Sequence, residues 1–200
     1  MLCINCRKDL DSLYGLICVD CWSEIRFIKR QGTKINHAVV EYNHIVQKLI
    51  HIFKYQSPWI LSDLFLNWLS LIYSDTINIA DIIIPVPIHK YKIMKRGYNQ
   101  VAVLARKLAK KYKKPCPLNI LIKSRSTKSQ SSLNRDERQV NVIGSFQINE
   151  KQINRIKDQK ILLIDDVMTT GATLLECMKV LKKSGINQIE TLCIAMTKYE

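Results

Sequence analysis

No run of eighteen or more consecutive apolar residues occurs in the 200-residue chain, which excludes a membrane-crossing helix. The first residues, Met1 to Lys8, lack the basic and then apolar order of a signal peptide. Internal repeats and low-complexity tracts are also missing, so a solenoid or a disordered tail is not the starting expectation. Acidic residues are scarce: 17 Asp and Glu face 31 Lys and Arg, a formal net charge of +14. A surface so charged attracts polyanions, with nucleic acid, nucleotides and polyphosphates as candidates; a solvated basic face that binds nothing specific is the plainer alternative. With 47% apolar and 24% charged residues the balance is globular. These features predict a cytoplasmic protein that is not an integral membrane protein, with one α/β domain and room for a small satellite module.

Cysteine is present, and its placement is informative. Of seven cysteines, Cys3, Cys6, Cys18 and Cys21 fall in the first 21 residues, whereas Cys116, Cys177 and Cys193 lie scattered and read as packing residues. In a reducing compartment the clustered four point to metal rather than to disulfides. Two C-x-x-C pairs separated by eleven residues match the knuckle spacing that closes four thiolates around Zn²⁺. A redox or metal-free site is the alternative, and an Fe–S cluster suits paired knuckles less well. Few apolar residues lie between the knuckles, so the metal is expected to supply most of the module's stability. Residues 1–30 are therefore expected to form a zinc module ahead of a larger domain over residues 31–200.

Beyond His37 the periodicity changes. Ala38 to Tyr42 reads as a short strand, and Ile45, Val46, Leu49, Ile50 and Phe53 follow at helical spacing. Ile60 to Tyr73 repeats that spacing. Its Trp68, with Trp59 nearby, could be taken for a base-stacking platform, but aromatics so spaced are more commonly core. Ile82 to Val86 is a β-branched run halted by Pro-Val-Pro, as in a buried parallel strand, and functional loops leave such edges. His89 to Gly97 packs four cations into an expected loop, before Val101, Leu104, Ala105 and Leu108 mark an amphipathic helix. Leu118 to Ile122 and Ile143 to Ile148 are candidate strands, separated by a polar, basic stretch from Ser124 to Val140 without apolar period, read as a long mobile loop. Lys160 to Ile164 is a strand, Thr173 to Ser184 a helix and Gln188 to Ala195 a final strand. Strands alternating with helices predict an α/β fold with a mostly parallel sheet and helices on both faces.

The segment from Ile161 to Leu174 carries the chemistry. Four apolar residues run into Asp165 and Asp166, followed by Val167, Met168, Thr169, Thr170, Gly171, Ala172 and Thr173 at a helix start. Carboxylates at a strand's C-terminal edge can accept hydrogen bonds from vicinal sugar hydroxyls. The turn can aim backbone N–H groups at a phosphate, Gly171 permitting close approach and the helix dipole adding positive charge. Threonine hydroxyls supply further donors. Simple capping of the helix is the plainer alternative for such a turn taken alone.

The run from Leu163 to Leu175 closely resembles the phosphoribosyl-pyrophosphate (PRPP) motif of type I phosphoribosyltransferases. With the cysteine head, Phe53-Lys54-Tyr55, Pro85-Val86-Pro87-Ile88-His89, Arg96-Gly97-Tyr98-Asn99-Gln100 and the region from Gln130 to Asn141, it occurs in the order of the ComF family, which includes the ComFC and GntX competence proteins. The resemblance implies a type I phosphoribosyltransferase-like domain. Asp165 and Asp166 would bind the ribose hydroxyls and Val167 to Thr173 the 5-phosphate. Val86, Pro87, Ile88, His89 and Lys90 would form the pyrophosphate loop, with Lys90, Lys92, Lys95 and Arg96 as candidate diphosphate cations, among which the sequence does not choose. A flexible loop over Lys123 to Arg138 would close on the centre through Arg125, Gln130, Arg135 and Arg138. Mg²⁺ is the implied partner of PRPP. The implied role is that of an accessory factor in DNA uptake, with single-stranded DNA and a DNA-uptake helicase or other competence proteins as partners; active transfer to a base or amine and release of pyrophosphate is the alternative. A regulator that binds PRPP without turnover is a third reading.

Overall fold

Why the site forms where it does follows from how the apolar runs pair. The computed structural model describes residues 2–10, 15–28, 36–125, 141–154 and 156–197. In chain order its elements are α1 (Val19–Ser23), β1 (Asn36–Glu41), α2 (His44–Tyr55), α3 (Pro58–Ile79), β2 (Ile82–Pro85), α4 (Lys90–Arg96) and α5 (Gln100–Tyr112). There follow β3 (Leu121–Lys123), β4 (Phe146–Ile148), α6 (Glu150–Ile153), β5 (Ile161–Met168), α7 (Ala172–Lys183) and β6 (Ile189–Met196). Four strands make one parallel sheet in the order β1-β6-β5-β2. The expected strands from the middle of the chain, β3 and β4, pair antiparallel with each other and stand outside that sheet.

Side chains alternate across a strand, and the two faces of the sheet bury separate clusters. Ile83, Leu162, Ile164, Leu192 and Ile194 pack beneath α2, α3 and α5. Ile82, Ile84, Ile161, Leu163 and Cys193 meet α7 and the β3–β4 pair. Each fully buried Leu, Ile or Phe contributes about 1.5–3 kcal/mol through removal of its apolar surface from water. Strands covered on both faces have no polar side to display, which is why β2 reads as an unbroken apolar run.

Several elements differ from their sequence expectations. The helix expected over Ile60 to Tyr73 spans Pro58–Ile79, and Tyr73 is the residue where it kinks, with non-helical φ −122° and ψ 25° and its hydroxyl donating to the Ala38 carbonyl at 3.0 Å. On that helix Trp68 is buried, as a packing residue should be, but Trp59 is 63% exposed. The cation-rich stretch expected as a loop is the helix α4. The His89 Nδ1 accepts the Tyr91 N–H at its start, and Gly97, at φ +82°, ends it in left-handed geometry. It buries no residue, so no apolar stripe betrays it.

The cysteine head does not stand apart. Ile17, Cys18, Cys21 and Ile25 join the cluster of α2, α3 and the sheet, and Trp22, Phe27 and Trp68 pack ring to ring at 5.5 to 5.9 Å. Chain 26–28 runs antiparallel along β1 through the Ile28 N–H to Val39 and the Glu41 N–H to Arg26. Apolar support missing between the knuckles is thus supplied by α3.

Candidate functional site

The two carboxylates lie inside β5 rather than beyond it, at a step in the sheet. On the β2 side pairing stops at Pro85 opposite Ile164, because β2 has only four residues. On the β6 side it continues through Asp165 opposite Cys193 to Met168 opposite Met196. From Asp165 onward β5 has lost one neighbour, and the chain leaving β2, tied back by the Val86 N–H to the Ile164 carbonyl at 2.8 Å, runs beside the acids.

Alternation along β5 then separates the two side chains. Asp166 has the parity of Leu162 and Ile164 and faces α2 and α5. Its Oδ2 accepts from Gln100 Nε2 at 2.7 Å and pairs with Lys54 Nζ at 3.0 Å. Asp165 has the parity of Ile161 and Leu163 and faces the side of α7 and β3, while its Oδ1 accepts the Asp166 N–H at 2.8 Å. Burial, and then the charge of Asp166, push the half-buried Asp165 carboxyl up to about 7. The pair forms one acidic edge with two faces.

Around it the fold gathers cations from three elements. Lys54 ends α2; burial opposes its charge, but Asp166 outweighs that and holds the ammonium above its usual range. Lys92, on α4, is pulled down by burial and then by the charges of Arg96 and Lys54. Lys123, at the end of β3 with Nζ 4.9 Å above the Phe146 ring, is lowered to about 8 by burial and then by Lys92. Burial, and then neighbouring cations, disfavour the charged forms of Lys92 and Lys123, so an anion brought beside them would be welcome, whereas Lys54 is already paired with Asp166.

Arg96 has a different setting from the other cations. Its guanidinium lies 4.5 Å over the Tyr55 ring, donates from Nη2 to the Tyr55 hydroxyl at 2.8 Å and from Nη1 to Gln100 Oε1 at 3.2 Å. Gln100 is buried and passes the connection to Asp166. Thus Phe53-Lys54-Tyr55, Arg96 to Gln100 and the acid pair, far apart in sequence, close one polar circuit. Asn99 completes the corner, with Nδ2 donating to the Val86 carbonyl at 3.1 Å and Oδ1 capping α5 at the Val101 N–H.

Past the acids, Asp165, Val167, Met168, Thr169, Gly171, Ala172, Thr173 and Leu174 line a small pocket at the start of α7. Gly171 adopts φ +75°, turning the chain so that the first N–H groups of α7 face the turn. Thr170 Oγ1 accepts the Ala172 N–H at 3.4 Å.

Of the residues expected on the pyrophosphate loop, Val86 is buried as the continuation of β2, Pro87, Ile88 and His89 are half-buried, and Lys90 is exposed at the start of α4. Lys95 is likewise exposed, so from that helix Lys92 and Arg96 reach inward. Arg125 is exposed and donates to the Ile143 carbonyl at 2.8 Å. Gln130, Arg135 and Arg138 lie outside the described residues. Sequence reasoning did not place Lys54, Gln100 or Lys123 at the site. The first two sit in segments already singled out by resemblance, and the signal was a Lys and a Gln on faces that otherwise bury apolar residues. Lys123 opens the segment expected as the flexible loop, but as a lone cation at a strand end it carries no signal of its own.

At the far end of the core, the sulfurs of Cys3, Cys6, Cys18 and Cys21 all lie within 4.8 Å of one another, positioned to bind a metal ion. Cys3, Cys18 and Cys21 are buried and Cys6 is exposed. Asn5 Nδ2 donates to Cys21 Sγ at 3.1 Å and the Cys18 N–H to Cys3 Sγ at 3.4 Å, the second-layer bonds that stabilise thiolates.

A parallel sheet, an acid pair at its C-terminal edge and a glycine turn into a helix define a phosphoribosyltransferase-type domain. The chain belongs to the family described as Phosphoribosyl transferase domain, which matches residues 93–198. Over nearly its whole length it is similar to curated competence proteins, bearing out the ComF resemblance. It is 27% identical to Competence protein F of Haemophilus influenzae over 97% of this chain and 90% of that protein. With Competence protein ComFC of Streptococcus pneumoniae it shares 28% identity over 95% of this chain and 80% of that protein. Among solved structures, a purine phosphoribosyltransferase from Pyrococcus horikoshii is 20% identical, with a TM-score of 0.43 over 71% of this chain and 79% of its own. No helix among the described residues is long and apolar enough to cross a membrane.

Proposed function

We propose that this chain is a phosphoribosyltransferase-like protein that binds PRPP or a related ribose 5-phosphate and acts as an accessory factor in DNA uptake. The observation that carries the ligand reading is the step in the sheet, where the turn at Gly171 follows the acid pair and the cations Lys54, Lys92 and Lys123 come near enough for their charges to act on the acids and on one another. Asp165 and Asp166 take the ribose hydroxyls, the turn from Val167 to Thr173 takes the 5-phosphate on its N–H groups and hydroxyls, and Lys92 and Lys123 take the diphosphate. Two crowded carboxylates, one held partly protonated near neutral pH, are a donor set that a hard divalent cation would relieve. Asp165 and Asp166 are the residues that would hold Mg²⁺, which when bound with PRPP would supply charge neutralisation to the diphosphate. The role in DNA uptake is drawn from the competence proteins that resemble the chain, and the net charge of +14 suits single-stranded DNA as a partner.

In the head, a Zn²⁺ with bonds of about 2.3 Å to sulfur requires tetrahedral edges of about 3.8 Å. The separation of 3.5 Å between Cys6 and Cys18 and the 4.8 Å limit on all four fit that requirement. Residues 1–30 are then a zinc module attached to a phosphoribosyltransferase-like domain over 31–200. Transferase activity is the second reading, favoured by the cations: charge growing on a leaving diphosphate would be met by Lys92 and Lys123 already in place.

Calorimetry with PRPP and Mg²⁺ tests the ligand. Wild type is expected to bind and the paired Asp165→Asn, Asp166→Asn variant to lose at least tenfold in affinity; equal binding removes the site assignment. In parallel, salt-sensitive binding of single-stranded DNA that survives Asp165→Asn supports the accessory role, whereas pyrophosphate release with a panel of bases supports the enzyme.

A further inference from the structure

The hydrogen-bond ledger of Asp166 leaves one partner out of keeping with a simple ligand site. Its Oδ2 already holds Gln100 Nε2 at 2.7 Å and Lys54 Nζ at 3.0 Å, which occupies both lone pairs of that oxygen. Gln100 is 2% exposed at the start of α5, and its other end is fixed by Arg96, which is itself stacked on Tyr55. It has nowhere to go. Lys54 sits on the last turn of α2, its side chain 26% exposed, on a stem of four methylenes. Of the two donors, only Lys54 can exchange.

We infer that Lys54 is a tethered counter-cation that guards Asp166, keeping divalent metal off the acid pair until a polyanion draws the ammonium away. This rests on the reading of β5 as a ribose–diphosphate site and adds to it the order of binding. An ammonium at contact distance neutralises Asp166 and repels a dication from either carboxylate oxygen. Asp165 alone, with one oxygen already accepting the Asp166 N–H, is a poor metal site. When a diphosphate enters the cleft, Lys54 has a second anion within the sweep of its side chain, and Asp166 becomes available to hydroxyl or metal. Metal therefore arrives with the anion rather than before it. Lys54 is a positioning residue in this scheme, acting through Asp166.

Zinc-loaded protein titrated with Mn²⁺ alone, without PRPP and with free Mn²⁺ followed by electron paramagnetic resonance, tests this directly. Wild type is expected to bind Mn²⁺ weakly, and Lys54→Met about tenfold more tightly, because an unguarded carboxylate pair remains. Lys54→Arg, which keeps the charge, should stay near wild type, and adding Asp166→Asn to Lys54→Met should abolish the gain. Lys54→Gln, which keeps length without charge, is the second variant and should move in the same direction. Unchanged Mn²⁺ affinity in folded Lys54→Met or Lys54→Gln overturns the inference. Calorimetry with PRPP on wild type separates the two claims: PRPP binding with no Mn²⁺ gain sinks the guard alone, whereas a Mn²⁺ gain without PRPP binding sinks the ribose-phosphate reading and leaves the guard.

Discussion

Asp165 and Lys123 approach each other's titration range from opposite sides. Burial and Asp166 raise the carboxyl to about 7, and burial and Lys92 lower the ammonium to about 8. Asp165 gains its negative charge as pH rises through 7, and that charge is what a divalent cation needs. Lys123 loses its positive charge as pH rises through 8, and that charge is what a diphosphate needs. Affinity for PRPP with Mg²⁺ is therefore expected to rise towards pH 7, hold between 7 and 8 and fall above. Calorimetry across pH checks this. Lys123→Met should flatten the alkaline limb and Asp165→Asn the acid limb; a limb that persists in its variant belongs to the ligand or to another group. At this scale the sequence displayed the acids plainly but not their environment, because Lys54 and Gln100 lie 112 and 66 positions from Asp166 and only folding brings them together.

Among the elements, α7 and the turn before it bear most directly on the proposed phosphate site. Gly171 holds φ +75°, and a methyl group added there would meet only Met168 side-chain atoms, at 4.0 Å. Gly171→Ala is thus penalised by backbone conformation rather than by crowding, about 1 kcal/mol of stability. Chemical denaturation should register that loss, and PRPP affinity should drop severalfold as the first N–H groups of α7 turn away; unchanged affinity would mean that the turn does not hold the phosphate. Long periodic helices such as α2 and α5 were legible in the sequence because their apolar stripes are wide. The short α4 was not, since it buries nothing and depends on His89 and Gly97 at its ends. The extension of β5 beyond Ile164 was hidden because Asp165 and Asp166 interrupt the apolar run and the residues after Ile164 are paired on one side only.

Across the whole molecule, head and body share one apolar cluster through Trp22, Phe27 and Trp68. Loss of a metal held by the four thiols should therefore be felt throughout. Metal analysis is expected to find about one zinc per chain, lost on Cys18→Ser, and that variant should melt at a lower temperature in a single transition. Two separate transitions, with the body unchanged, would show that the head unfolds independently.

By itself the sequence determined the four thiols, the adjacent acids, the glycine turn, the β-branched strands and the excess of positive charge. Each is a local pattern, set by the spacing of residues along a few turns or strands. The tertiary structure decided which side of the sheet each acid faces, which of many lysines approach the acids and that Arg96 braces Gln100. Those outcomes depend on strand register and on how α2, α4 and α5 pack over β5, and register and packing are properties of segments distant along the chain.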